Sequence, residues 1–121
     1  MTRTDNLLTQ WEQNYKKGLL SFWILLAVAE EPQYAYGLKN KIEDLSRGTM
    51  TADDNSLYRA LRRFAKEGLI ESEMRPSDLG PDRRYFELSA KGRELLRSFA
   101  ERNLAVFEDR AVKKAIKNLN D

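Results

Sequence analysis

The sequence predicts a mainly α fold with a small β-hairpin, and three features predict it. Apolar residues recur at three- and four-residue spacings through most of the 121 residues. One region, from Leu69 to Leu88, alternates as paired strands do and holds the turn sequence Gly80-Pro81. Beyond it, Ala90 to Asn118 runs without a proline, which predicts a long C-terminal helix.

In chain order, Leu7, Leu8, Trp11 and Tyr15 mark an amphipathic helix over Asn6 to Tyr15, with Asp5 as N-cap and Gly18 ending or bending it. Leu19 to Glu30 is apolar on all sides and predicts an enclosed central helix. Glu31-Pro32 breaks it, and Ala35, Leu38, Ile42 and Leu45 place a third helix over Tyr34 to Leu45, stopped by Arg47-Gly48. Thr49-Met50-Thr51 suits a short extended link. The next helix runs from Asp54 to Glu67 with the stripe Leu57, Leu61, Phe64. Asp53 is its N-cap, with Thr51 to Asp54 as a capping-box variant, and Gly68 is its stop.

Two strands follow, Leu69 to Arg75 and Arg84 to Leu88, joined by a loop from Pro76 to Asp82. Ser89 then caps the last helix. Its stripe, Leu95, Leu96, Phe99, Val106, Phe107, Val112 and Ile116, needs a partner surface that a second copy of the chain would supply. The chain thus divides into residues 1–88 and a dimerisation helix over 89–121, forming one structural unit. Helices followed at once by a hairpin are the winged helix-turn-helix arrangement, in which the helix before the hairpin enters the major groove of DNA.

Composition limits the chemistry. With 41% apolar and 33% charged residues the chain suits one globular domain with one core. It has no cysteine, which excludes disulfides, thiolate metal sites and cysteine nucleophiles and is compatible with the cytoplasm. Histidine is absent too, removing the commonest general base and the usual zinc ligand. Neither an enzyme nor a metal or cofactor is expected. The run Leu19 to Ala29 carries a serine and is about half of the roughly 20 residues that span a bilayer. Met1 to Tyr15 contains Asp5 and Glu12 and no apolar core of a secretory signal.

The net charge of +2 is uninformative, but its distribution is not. Between Asn55 and Lys66 the helix carries Arg59, Arg62, Arg63 and Lys66 and no acidic residue. Asn55, Ser56 and Arg59 are assigned to base edges, and Tyr58, Arg62 and Arg63 to phosphates. The hairpin adds Arg75, Arg83 and Arg84, placed to touch phosphate or the minor groove. Arginines on a helix are ordinarily a solvated surface. The hairpin that follows with arginines of its own shifts the weight toward nucleic acid.

Several segments together resemble the PadR-like transcriptional regulators: Lys17-Gly18-Leu19-Leu20, Ile24-Leu25-Leu26, Tyr36-Gly37-Leu38, Leu57-Tyr58-Arg59-Ala60-Leu61-Arg62-Arg63-Phe64, Glu67-Gly68-Leu69-Ile70, Arg83-Arg84-Tyr85-Phe86 and Leu88-Ser89-Ala90-Lys91-Gly92. The resemblance covers about Lys17 to Leu96. It implies a winged-helix domain with a C-terminal dimerisation helix, usually acting as a repressor, and in some members a small aromatic effector near the dimer interface. A dimer with its recognition helices about one helical turn apart would meet a pseudo-palindromic operator. It also implies that Tyr58 and its basic neighbours lie at the DNA and that Arg83-Arg84-Tyr85 forms one side of the wing. The sequence departs from the family at Asp53-Asp54-Asn55-Ser56, where small residues or Ser-Pro-Gly are common. Two carboxylates there favour the helix dipole and oppose phosphate. Either they cap the helix away from the DNA backbone, or one accepts a hydrogen bond from cytosine.

Trp11, Tyr15, Trp23 and Phe99 are the residues proposed for an effector pocket between subunits, with core packing as the alternative. Glu30-Glu31 and Asp53-Asp54 are adjacent acidic pairs, explained by helix ends and caps. The same fold could serve instead as a protein-protein interaction module without direct DNA contact.

Overall fold

The computed structural model describes residues 2–121. The first helix, α1, is continuous from Arg3 to Glu30, so the two helices expected there are one. Thr2, not Asp5, is the N-cap: its hydroxyl accepts the Asp5 N–H at 3.1 Å while the Asp5 carboxylate accepts the Thr2 N–H at 3.2 Å. Gly18 neither ends nor caps the helix, because its φ is not positive and a strong helical run follows it. Among the described residues, no helix is long and apolar enough to cross a membrane.

After α1 the chain makes a two-residue strand, β1 (Gln33–Tyr34), that was not expected. Helix α2 (Ala35–Leu45) therefore starts one residue later than predicted, with Tyr34 as its extended N-cap. It ends on Arg47 and Gly48, both left-handed, with φ of 54° and 75°. The link after it forms no strand but buries Met50, whose N–H donates to the Ser46 hydroxyl at 3.0 Å. Helix α3 (Asp54–Lys66) follows as predicted, capped by Asp53.

The hairpin is longer than its sequence pattern indicates. Strands β2 (Ile70–Ser77) and β3 (Gly80–Leu88) leave only Asp78 and Leu79 as the turn, so Gly80-Pro81 lies within β3. Pro76, which has no N–H for the ladder, sits at the register irregularity between Arg75 and Ser77. The sheet order is β1-β3-β2, all antiparallel, with Tyr34 opposite Tyr85.

One core joins these elements. Ile24 and Val28 of α1, Leu38 and Ile42 of α2, Leu57, Leu61 and Phe64 of α3, Ile70 of β2 and Phe86 of β3 are all buried in it. Helix α4 (Ala90–Phe99) contributes Leu96, which is 8% exposed. Its first turn locks onto the α3–β2 junction. The Lys91 ammonium donates to the Glu67 carbonyl at 2.8 Å and the Ser89 hydroxyl to the Gly68 carbonyl at 2.7 Å, while Ser89 N–H donates to the Leu69 carbonyl. These bonds satisfy carbonyls left over where α3 ends at the left-handed Gly68.

The C-terminal helix is present but interrupted. Beyond α4, a π turn (Ala100–Leu104) and a 3-10 turn (Ala105–Glu108) lead to Asp109, which leaves helical geometry at ψ 138°. Its carboxylate accepts from the N–H groups of Ala111 and Val112 and opens a separate helix, α5 (Arg110–Lys117). Aspartate favours an N-cap over a helix interior, and here the cap wins over continuation. Of the predicted association stripe, Leu96 is committed to the subunit's own core. Leu95, Val106, Phe107 and Ile116 are about half exposed, and Phe99 and Val112 are partly so.

Candidate nucleic-acid interface

Helix α3 buries Leu57, Ala60, Leu61 and Phe64 on one side, which aims Asn55, Arg59, Arg62 and Lys66 away from the core. The other predicted residues divide by flank. Tyr58 and Arg62 face the wing and, with Arg83 and Arg84 of β3, line an open cleft of about 810 Å³ between α3 and the sheet. Arg63 points the other way: its guanidinium donates to the Ser21 hydroxyl of α1 at 3.0 Å and lies 3.6 Å from the Glu67 carboxylate. It is thus tied to α1 and to its own helix, off the face where it was expected to meet phosphate.

The acidic start of α3 is explained by the structure. Asp53 accepts both the backbone N–H and the hydroxyl of Ser56, each at 2.9 Å. Those donors, the backbone one first, hold its carboxyl below the ordinary carboxylate value. Asp54 receives the Lys39 ammonium of α2 at 2.9 Å. That hydrogen bond, followed by the charge of Asp54, raises the lysine above its usual value. Both carboxylates are therefore satisfied within the protein, one by the helix it caps and one by α2. The Ser56 hydroxyl, assigned from sequence to a base edge, is engaged in the cap.

A lowered carboxyl contributes stability that is present above its unfolded value of about 4 and is lost as pH falls through the lower folded value. Asp53→Ala is accordingly expected to melt below the parent at neutral pH. The difference between the two should shrink as the solution is acidified toward that folded value. Thermal melts across pH check this, and a gap that persists in acid would contradict it.

On the outer face of the sheet the arginines stack on tyrosines. Arg75 lies over the Tyr85 ring at 4.6 Å and Arg83 over Tyr34 at 4.4 Å, with the two rings 5.5 Å apart. This arrangement holds β1 to β3 and tolerates Arg75 directly opposite Arg83 in the ladder. Arg75 is further paired with Glu73 at 2.7 Å. Arg84, on the inner face, donates to the Ser72 hydroxyl at 3.0 Å. Among the described residues, no carboxylate lies within ion-pair distance of Arg59, Arg62, Lys66, Arg83 or Arg84. The outward side of α3 and the adjoining strand thus present a group of basic side chains with no carboxylate in ion-pair distance.

Sequence reasoning missed Tyr34 and Tyr36 as cleft residues. Tyr34 belongs to a strand too short to show a period, whereas Tyr36 lies in the Tyr36-Gly37-Leu38 motif. The predicted effector residues are not gathered within one chain. Trp11 and Tyr15 are 76% and 60% exposed on the N-terminal half of α1. Phe22 packs between Trp23 and Phe99, and the small cavity beside it, about 140 Å³, is lined by Phe99 but not by the other three. Among the described residues, no acidic cluster is arranged to hold a metal ion.

A family model described as the PadR-like family of transcriptional regulators matches residues 24–98. No curated protein sequence matches. Among solved structures, the chain is similar to a PadR-like transcriptional regulator from Bacillus cereus at 32% identity and a TM-score of 0.64, covering 87% of this chain and 94% of that one. A PadR family transcriptional regulator from Eggerthella lenta shares the fold at a TM-score of 0.73 and 23% identity, covering 93% and 95% of the two chains. Bacillus subtilis PadR, solved in complex with operator DNA, shares it at a TM-score of 0.60 and 16% identity, over 67% of this chain and 46% of that one.

Proposed function

The chain belongs to the PadR-like family of transcriptional regulators, and from that membership we propose that it is a repressor that binds a pseudo-palindromic operator as a homodimer. The observation that carries the reading is the uncompensated basic face of α3 beside the wing arginines. Arg59, Asn55 and Lys66 point outward where a helix laid in the major groove meets base edges and phosphates, and Arg62, Arg84 and Tyr58 flank it toward the backbone. Residues 1–88 carry this surface, and 89–121 carry association. The support for a dimer is the half-exposed apolar series Leu95, Val106, Phe107 and Ile116, which a second subunit would cover. A small aromatic effector at that junction, near Trp11, Tyr15, Trp23 and Phe99, would release the operator by altering the spacing of the two α3 helices. Such a role places the protein in the cytoplasm.

Gel shifts with duplex DNA from upstream of its own gene, at several salt concentrations, test the proposal. Affinity should fall steeply with salt, and Arg59→Ala should weaken binding by about tenfold or more, at roughly 1–3 kcal/mol per base contact. Binding that ignores both salt and Arg59→Ala would refute it. Sedimentation should give a dimer, and a monomer at working concentration would remove the half-site geometry.

A further inference from the structure

The cleft between α3 and β3 has more in it than a phosphate contact requires. Its volume, about 810 Å³, is in the range of small-molecule sites. Buried Leu61 and Phe86 give it an apolar floor, and exposed Ala65 lines it as well. Above the floor stand Arg62 and Arg84, with no carboxylate in ion-pair distance among the described residues, while Arg83 lines the rim with its guanidinium stacked on Tyr34. Tyr36 and Tyr58 complete the walls, 66% and 50% exposed, and no aromatic stack among the described residues involves either ring. By contrast, Arg63 of the same helix and Arg75 of β2 have carboxylates, and Tyr34, at the rim of the cleft, packs on Tyr85. Cations without counterions and rings without stacking partners, gathered over an apolar floor, form a complementary surface for one flat ring carrying several negative charges. Guanidinium groups take phosphate oxygens in a bidentate manner, and tyrosine faces take a base.

We infer that the α3–wing cleft is a binding site for a free nucleoside diphosphate, its base against Tyr36 and Tyr58 and its phosphates on Arg62 and Arg84. Because these arginines also belong to the surface proposed for DNA, nucleotide and duplex compete. The competition rests on the operator reading given above, whereas nucleotide binding does not.

Fluorescence anisotropy of N-methylanthraniloyl-ADP on the full chain, in magnesium-free buffer, measures the site directly. ADP should displace the probe, with adenosine and pyrophosphate each about tenfold weaker or worse, since each supplies half of the contacts. Arg62→Ala and Arg84→Ala should each weaken ADP about tenfold, with melting temperatures near the parent's because both side chains are exposed. Phe107→Ala, on the association face, should leave ADP binding unchanged. No binding of the probe, displacement by pyrophosphate as good as by ADP, or indifference to both arginine changes would overturn the site. A chain that binds ADP but no duplex keeps the site and loses the operator reading. Simultaneous, independent binding of ADP and duplex would overturn the shared face.

Discussion

Gly92→Ala is expected to destabilise the protein by about 2–3 kcal/mol and to lower its Tm by on the order of 10 °C. A Cβ at this position would run into the Leu69 carbonyl oxygen and lie 2.8 Å from the Leu88 Cδ1. A backbone carbonyl cannot step aside as a flexible side chain can. Relief therefore requires α4 to move off the α3–β2 junction, which breaks the bonds from Ser89 and Lys91 to the Gly68 and Glu67 carbonyls. The wing hangs from the same junction, so operator affinity should fall along with stability. Gly18→Ala is the matching control: nothing lies within 4 Å of its Cβ, it is inside α1, and the exchange should stabilise by about 0.5–1 kcal/mol. Chemical denaturation of both variants checks the pair. A neutral Gly92→Ala would mean that α4 does not approach Leu69 as closely as described.

Arg62→Ala and Arg63→Ala, adjacent and chemically identical changes, are expected to separate function from stability. Arg62 faces the wing with no counterion among the described residues, so its loss should weaken operator binding by about 10- to 100-fold in a dimer that uses it twice. The salt dependence should also become shallower, by roughly 0.9 for each phosphate contact removed. Arg63 bonds Ser21, pairs with Glu67 and lies over the Phe64 ring at 5.1 Å. Removing it should cost about 0.5–1 kcal/mol of stability, since these contacts are solvent-exposed, and change operator affinity by less than about threefold. Equal losses of affinity from both would place DNA across the α1 side of α3 and contradict the orientation described here.

Much of the fold was legible because its signals are local. The stripe Leu57, Leu61, Phe64 and the caps Asp53 and Ser89 lie within a few residues of what they specify, and each forms as the spacing indicates. The failures have separate causes. Gly18 looked like a stop because glycine often is one, but a glycine stop works through a left-handed φ, which is found at Gly48 and Gly68 and not there. Gln33–Tyr34 becomes a strand only because β3 lies beside it. Asp109 divides the C-terminal helix by a cap that an apolar stripe does not reveal.

At the site the same division holds. Local sequence by itself determined that α3 is basic, that it is capped at Asp53 and that a hairpin with arginines follows, since charge and capping depend on residue type and near neighbours. The pairing of Arg63 with Glu67 four residues on is local too, but the tertiary structure decided which way each arginine faces. Arg62 and Arg63 are indistinguishable in the sequence, yet the 100° step between successive helical residues turns one toward the wing and the other toward Ser21, 42 residues away in the chain. Asp54 presents the same case, its charge answered by Lys39 from another helix. Partners of this kind come from packing between distant segments, and no periodicity within a single segment encodes them.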